Sequence, residues 1–375
     1  MEKITKFFSS VWGIVITGAV IGILAPLLQK MGNPPNMGIC VACFERDIAG
    51  AIGLHRVVVV QYIRPEIIGF VLGSLLAALL FREFKARGGS SPFIRFFLGI
   101  FAMIGALVFL GCPWRALLRL SGGDWNALIG LGGLITGVVI GSFFLKKGYT
   151  LGRSKPVNWI QGLLMPAFMI ALLLFLIFRV TFKPGNAIFF SESGPGSMFA
   201  PLVISLGVGL LIGVLAQRTR FCTMGAIRDV VLIKDWHLMY GIIALVICAL
   251  AINLIFSQFN PGYALQPVSH SQWMWNFLGM VLAGLAFILA GGCPGRQLFL
   301  SGEGDQDASI FVMGMIVGAA FSHNFFLASS PDKLSEGGEL ITGGPEIFGK
   351  IAVIAGILFC VVIGLTMKSV KTRGR

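Results

Sequence analysis

Gly111-Cys112-Pro113-Trp114-Arg115 and Gly292-Cys293-Pro294-Gly295-Arg296 are one five-residue word, G-C-P-x-R, written twice. Each copy is followed by Leu-Ser-Gly, at Leu120-Ser121-Gly122 and Leu300-Ser301-Gly302, and an Asp stands twelve residues after each cysteine, at Asp124 and Asp305. A second word, C-x5-R-D, is also doubled: Cys40 with Arg46-Asp47, and Cys222 with Arg228-Asp229. Cys222 lies 182 residues after Cys40, and Cys293 lies 181 after Cys112. Two unrelated words repeating at one offset mark an internal duplication. The chain divides into a first repeat over 1–181, a connecting loop over 182–198 and a second repeat over 199–375.

Composition says where these repeats sit. Of 375 residues, 56% are hydrophobic and 12% charged, and mean hydropathy is +0.88. A soluble domain carries about 25% charged residues, so this chain lacks the polar groups to cover a water-facing surface. Lipid tolerates such a surface. Apolar runs of spanning length fall at 11–28, 65–81, 93–110, 125–145, 160–178, 199–216, 239–256, 273–291, 309–328 and 351–367. The expectation is an all-α polytopic membrane protein of about ten transmembrane helices, five per repeat. Five is odd, so the second repeat must run through the bilayer inverted, the plan of many secondary transporters.

The net charge of +13 reflects the positive-inside bias or a basic vestibule for anions; no motif points to nucleic acid. Basic loops at 82–95 and 146–159 and the basic tail fall on one side of a ten-helix count. The 257–272 loop, without Lys or Arg, and the mixed 329–350 loop fall on the other. This places both termini in the cytoplasm. No cleavable signal pattern is expected at the N-terminus. The stretch 37–64 breaks the charge pattern with Arg46, His55, Arg56 and Arg64. It reads either as a basic surface loop or as a re-entrant segment lining a cavity, where non-helical backbone is tolerated at membrane depth. The second reading gives four re-entrant cysteine loops, with Cys40 and Cys112 entering from outside, Cys222 and Cys293 from inside, and the four thiols approaching one another.

In G-C-P-x-R the proline suits a first helical turn, where its missing N–H costs nothing. The cysteine then stands at a helix N-terminus, whose free N–H groups and dipole favour an anion. Candidate substrate-binding residues are Cys40, Cys112, Cys222, Cys293, Arg46, Arg115, Arg228 and Arg296. Arg46 and Arg228 serve equally well as ion-pair partners of their Asp neighbours, and Asp124 and Asp305 as helix caps. Thiols in a positive field suit a soft sulfur- or selenium-containing anion, passed along a relay of S–H groups. Cys43 has no counterpart, because Gly225 holds the matching place. It leaves open a membrane thiol–disulfide oxidoreductase using Cys40 and Cys43. Cys248 and Cys360 read as packing residues. No metal-ligand spacing and no nucleotide-binding loop occurs, so no cofactor and no catalytic residue is expected.

The segments MGICVACFERD, GCPWRALLRLSGGD, QRTRFCTMGAIRD and GGCPGRQLFLSGEGD resemble the YeeE/YedE family of bacterial inner-membrane proteins, nearest its selenium-associated YedE branch. The resemblance implies uptake of thiosulfate or of a selenium compound, and cysteine loops concave toward the membrane centre. It assigns the essential cysteines to Cys40, Cys112, Cys222 and Cys293. It also implies a small cytoplasmic TusA-like sulfurtransferase partner.

Overall fold

A computed structural model describes residues 2–180 and 188–368. Of the expected connecting loop, 182–187 lie outside the described residues, as does the end of the basic tail. The first half contains α1 (Glu2–Phe8), α2 (Val11–Lys30), α3 (Val41–Ala51), α4 (Pro65–Leu80), α5 (Pro92–Phe109), α6 (Pro113–Ser121), α7 (Asn126–Lys146), α8 (Trp159–Gly162) and α9 (Leu164–Phe178). The second contains α10 (Leu202–Thr219), α11 (Thr223–Ile233), α12 (His237–Ile255), α13 (Trp273–Ala290), α14 (Pro294–Gly302), α15 (Gln306–Asn324) and α16 (Ile347–Thr366).

The protein is polytopic and all-α. Each expected span coincides with one helix, its ends shifted by about four residues or fewer, within the usual error of boundaries read from a sequence. Among the described residues, seven helical stretches are long and apolar enough to cross a membrane; α4 and α9 are shorter apolar helices. The outer helices turn apolar side chains outward: Val203 is 81% exposed and Ile247 61%. Lipid, not water, is the solvent such faces need.

Helix packing is reciprocal between the halves. α4 packs on α10 and α2 on α12; α7 packs on α13 and α5 on α15; α5 and α13 meet at the centre. Glycine permits this closeness. A Cβ added at Gly69 of α4 would come within 2.7 Å of the Gly209 backbone of α10, and one at Gly18 of α2 would collide with the Gly241 carbonyl of α12. Without hydrophobic drive between helices in lipid, such backbone approach supplies much of the association. Gly69→Leu is therefore expected to destabilise by about 1–3 kcal/mol or more. Thermal unfolding in detergent tests this, and an unchanged midpoint would contradict it.

The four short helices α3, α6, α11 and α14 have 11, 9, 11 and 9 residues. Every residue of α3 is buried. Arg46, His55 and Arg64 are 3%, 1% and 0% exposed, so the surface-loop alternative for 37–64 fails at these positions. Asp47 joins them: its carboxylate accepts from Arg46 at 2.7 Å and lies 2.6 Å from Arg64. Arg64 also donates to the carbonyls of Pro195 and Met198, which ties residues 195–198 over this segment.

The basic segments gather at one end. Arg218 reaches Thr5 near the N-terminus and Glu83. Arg87 pairs with Asp305, and β1 (Arg87–Gly88) runs antiparallel to β2 (Lys155–Pro156). Tyr149 bridges to Lys368. At the other end Trp125 N–H donates to Gly262, and Asp332 N–H to Ser269. The polar stretch Ser301–Asp305 belongs to this end as well: Ser301 is buried, Glu303 and Asp305 both contact Arg87, and Asp305 lines a cavity with Ser90, Arg95 and Asp307.

Candidate functional site

Each of the four repeated cysteines is the N-cap of a short helix: Cys40 of α3, Cys112 of α6, Cys222 of α11 and Cys293 of α14. Cys40 Sγ accepts from the Cys43 N–H at 3.3 Å, and Cys222 Sγ from the Gly225 N–H at 3.2 Å. Cys112 and Cys293 precede prolines and make no such cap bond, which leaves their thiols free to face another cysteine. Cys40 Sγ donates to Cys112 Sγ at 3.8 Å, and Cys222 Sγ to Cys293 Sγ at 3.5 Å. The Cys293 N–H also points to Cys222 Sγ at 3.5 Å.

The four thiols are thus arranged as two pairs, each formed within one half of the chain. Each pair sits where two helix N-termini converge, so two sets of free N–H groups act on one place. A soft anion arriving there meets S–H donors and a positive backbone field. All seven cysteines are free.

The arginines divide by role. Buried Arg46 is engaged by Asp47. Arg115 anchors its loop, donating to the carbonyls of Leu110, Pro267 and Val268 and to Cys43 Sγ at 3.7 Å. Cys43 therefore sits under a guanidinium, a setting without parallel in the other half. Arg228 pairs with Asp229, and Arg296 with Glu303. Asp305 caps α15 through the Ala308 N–H, whereas Asp124 holds Arg119 at 2.6 Å and accepts from the Asn126 N–H.

A cavity of about 480 Å³ opens at the basic end and reaches Cys222 and Gly225. Arg218, Arg220, Arg228 and Arg296 line it against Glu83 and Asp229. It is a basic vestibule leading to the Cys222–Cys293 pair. Sequence reading missed Arg218 and Arg220. They stand four and two residues before Cys222, where the first half has Asn36 and Gly38 before Cys40. Searching for repeated residues passes over what one repeat holds alone.

Partial burial pushes the Glu83 carboxyl up, but hydrogen bonds from Arg218 and Gln217 outweigh this and hold it below the ordinary 4.5. Glu83 thus stays ionised at neutral pH and offsets Arg218. A carboxyl held low gives its contact above the ordinary value and loses it as pH falls through the lowered one. Glu83→Gln should make the vestibule more positive and strengthen binding of thiosulfate or another anion there on the order of two- to threefold at low ionic strength. Anion binding to the purified protein, measured with and without 0.15 M salt, tests this, since screening should erase the gain. A gain that survives salt would refute the electrostatic cause.

Residues 218–374 match the sequence profile of a family described as Sulphur transport. The chain is 29% identical over 107 residues to the thiosulfate transporter TsuA of Escherichia coli (strain K12), covering 28% of this chain and 30% of that protein. It is 33% identical over 99 residues to the thiosulfate transporter TsuA of Spirochaeta thermophila, covering 26% of this chain and 29% of that protein. The alignments therefore span about a third of the length of these relatives. An uncharacterised protein of Methanocaldococcus jannaschii is 29% identical over 89 residues, 21% of this chain and 85% of its own length.

Proposed function

We propose, from the premise that this chain belongs to the YeeE/YedE family of sulphur-transport proteins, that it imports a small sulfur- or selenium-containing anion of the thiosulfate class. The observation that carries the reading is the two cysteine pairs at converging helix N-termini, one of them open to a basic vestibule. The reciprocal packing of α2, α4, α5 and α7 on the helices of the other half supports an inverted repeat with a boundary near 182–198. The gathering of basic segments at one end supports cytoplasmic termini and an inner-membrane orientation.

In this reading the anion passes unchanged. It is drawn by the outside face of the protein to the Cys40–Cys112 pair, handed to the Cys222–Cys293 pair, and released among the vestibule arginines. S–H donors suit conduction because they bind weakly enough to let go. Helix N-termini supply the charge compensation that a fixed cation would supply too tightly. Arg46 and Arg115 hold the thiol-bearing segments, while Arg228 and Arg296 meet the anion in the vestibule. Sulfur and selenium anions present a similar polarisable chalcogen beside acceptor oxygens, so the path should admit both. Capture by a cytoplasmic TusA-like sulfurtransferase would keep the inward gradient.

The test is uptake of labelled thiosulfate and selenite into liposomes holding the purified protein under reducing conditions. Saturable uptake by the wild type is expected. No uptake of either anion would sink the reading, and turnover of a Cys40–Cys43 disulfide in its place would turn it to a membrane thiol oxidoreductase.

A further inference from the structure

The two G-C-P-x-R words differ at one position: Trp114 in the first copy and Gly295 in the second. The fold brings these two residues together. A Cβ built on Gly295 would lie 3.1 Å from Trp114 Cζ2 and 3.3 Å from Cε2, so the indole occupies a slot that exists because its own counterpart has no side chain. Its other walls are aromatic. Phe70, Phe221 and Phe299 stand with ring centroids 5.8, 5.8 and 6.0 Å from the indole. All three phenylalanines are fully buried, and Trp114 is 1% exposed.

The roots of these side chains locate the slot. Trp114 is two residues past Cys112, Gly295 two past Cys293, and Phe221 immediately before Cys222. The indole starts beside the outer thiol pair and ends against the backbone beside the inner one. That placement sets the indole between the two pairs, where a solute moving from one to the other would meet it. Four rings in edge-to-face and tilted contact form a dry constriction, the hydrophobic kind of gate.

One polar atom breaks the apolar wall. Trp114 Nε1 is buried and has no hydrogen-bond partner among the described residues. Buried indole N–H groups usually find an acceptor, and an orphaned donor at low dielectric is costly. An anion in transit is an acceptor of the right charge.

We infer that Trp114 is the gate between the two thiol pairs, and that its indole N–H donates to the anion as it crosses. This rests on the transport reading above and adds the residue that selects. The aromatic ring rejects weak hydrogen-bond acceptors such as iodide, and the N–H lowers the barrier for an anion with strong acceptor oxygens. The duplication supplies the thiols in both halves; the Trp–Gly exchange supplies a single gate, since two indoles would not fit one slot.

The experiment uses the full chain in liposomes, measuring labelled thiosulfate uptake beside iodide leak for wild type, Trp114→Phe and Trp114→Ala. Trp114→Phe keeps a ring and loses the N–H. Its thiosulfate uptake should fall about ten- to a hundredfold, the effect of losing one hydrogen bond to a charge, while iodide stays excluded. Trp114→Ala opens the slot and should leak iodide at least about tenfold above wild type. Thermal unfolding identifies any variant that has lost its fold, and Trp114→Phe, which keeps an aromatic ring in the slot, keeps the question answerable if Trp114→Ala has. Wild-type thiosulfate rates in Trp114→Phe, with iodide still excluded by a folded Trp114→Ala, would overturn the gate while leaving transport intact. Absence of wild-type uptake would overturn the transport reading and this inference with it.

Discussion

Cys222→Ala abolishes uptake, with a fall of about a hundredfold or more expected in the liposome assay, while the protein remains folded. Cys222 is the thiol nearest the vestibule, at 5% exposure against 1% or less for Cys40, Cys112 and Cys293. Its sulfur accepts from the N–H groups of Gly225 and Cys293 and donates to the Cys293 thiol. In the proposed path an anion entering from the outer pair would exchange into this set of contacts before it reached the arginines. Alanine removes the sulfur and also an N-cap, and the cap alone is worth about 1 kcal/mol. That loss is too small to unfold the protein, so stability and transport can be separated. Cys222→Ser sharpens the test. Serine is a good N-cap and should restore stability, yet a hard hydroxyl does not replace a soft thiol toward sulfur. Uptake by Cys222→Ser at the wild-type rate would end the thiol relay, whatever else the protein carries.

The second large effect concerns stability. Asp47→Ala is expected to destabilise the protein by about 3–5 kcal/mol, because it strands buried charge. Asp47 is 0% exposed and holds both Arg46 and Arg64, themselves 3% and 0% exposed. Without the carboxylate, two guanidiniums face each other at low dielectric, with the carbonyls of Pro195 and Met198 and the rings of Phe44 and Tyr62 as partial compensation for Arg64. The repeat provides its own control. Asp229 occupies the matching place, but the Arg228–Asp229 pair is 34% and 18% exposed at the vestibule edge. Asp229→Ala should cost about 0–1 kcal/mol. Thermal unfolding of both variants in one detergent decides the matter; equal shifts would show that burial does not set the difference.

These contrasts indicate which parts of the molecule were readable in advance. Each of the ten apolar runs falls on a helix, because an apolar segment in lipid must satisfy its backbone hydrogen bonds within itself. Seven meet the spanning criterion outright. The N-cap positions of Cys112 and Cys293 were legible from Gly and Pro alone, since those residues act on the backbone within one turn. The chemistry of Arg46 and Arg115 was less legible. An Arg next to an Asp, or three residues after a Cys, has the same local sequence whether it meets a ligand or a carbonyl. The partners of Arg115, Pro267 and Val268, come from the other half, and no local pattern announces them.

By itself the sequence determined the membrane setting, the all-α class, the helix positions and the placing of Cys112 and Cys293 at helix starts. These follow from composition and from contacts spanning a few residues, where hydrophobicity and backbone sterics act directly. The tertiary structure alone decided that the thiols pair as Cys40 with Cys112 and Cys222 with Cys293. It also decided that the arginines before Cys222 open into a vestibule, and that Trp114 fills the slot left by Gly295. Each of these joins residues about 70 to 180 positions apart, and their meeting depends on how whole helices pack. A duplicated sequence states what the two halves share, and packing reveals what their differences are for.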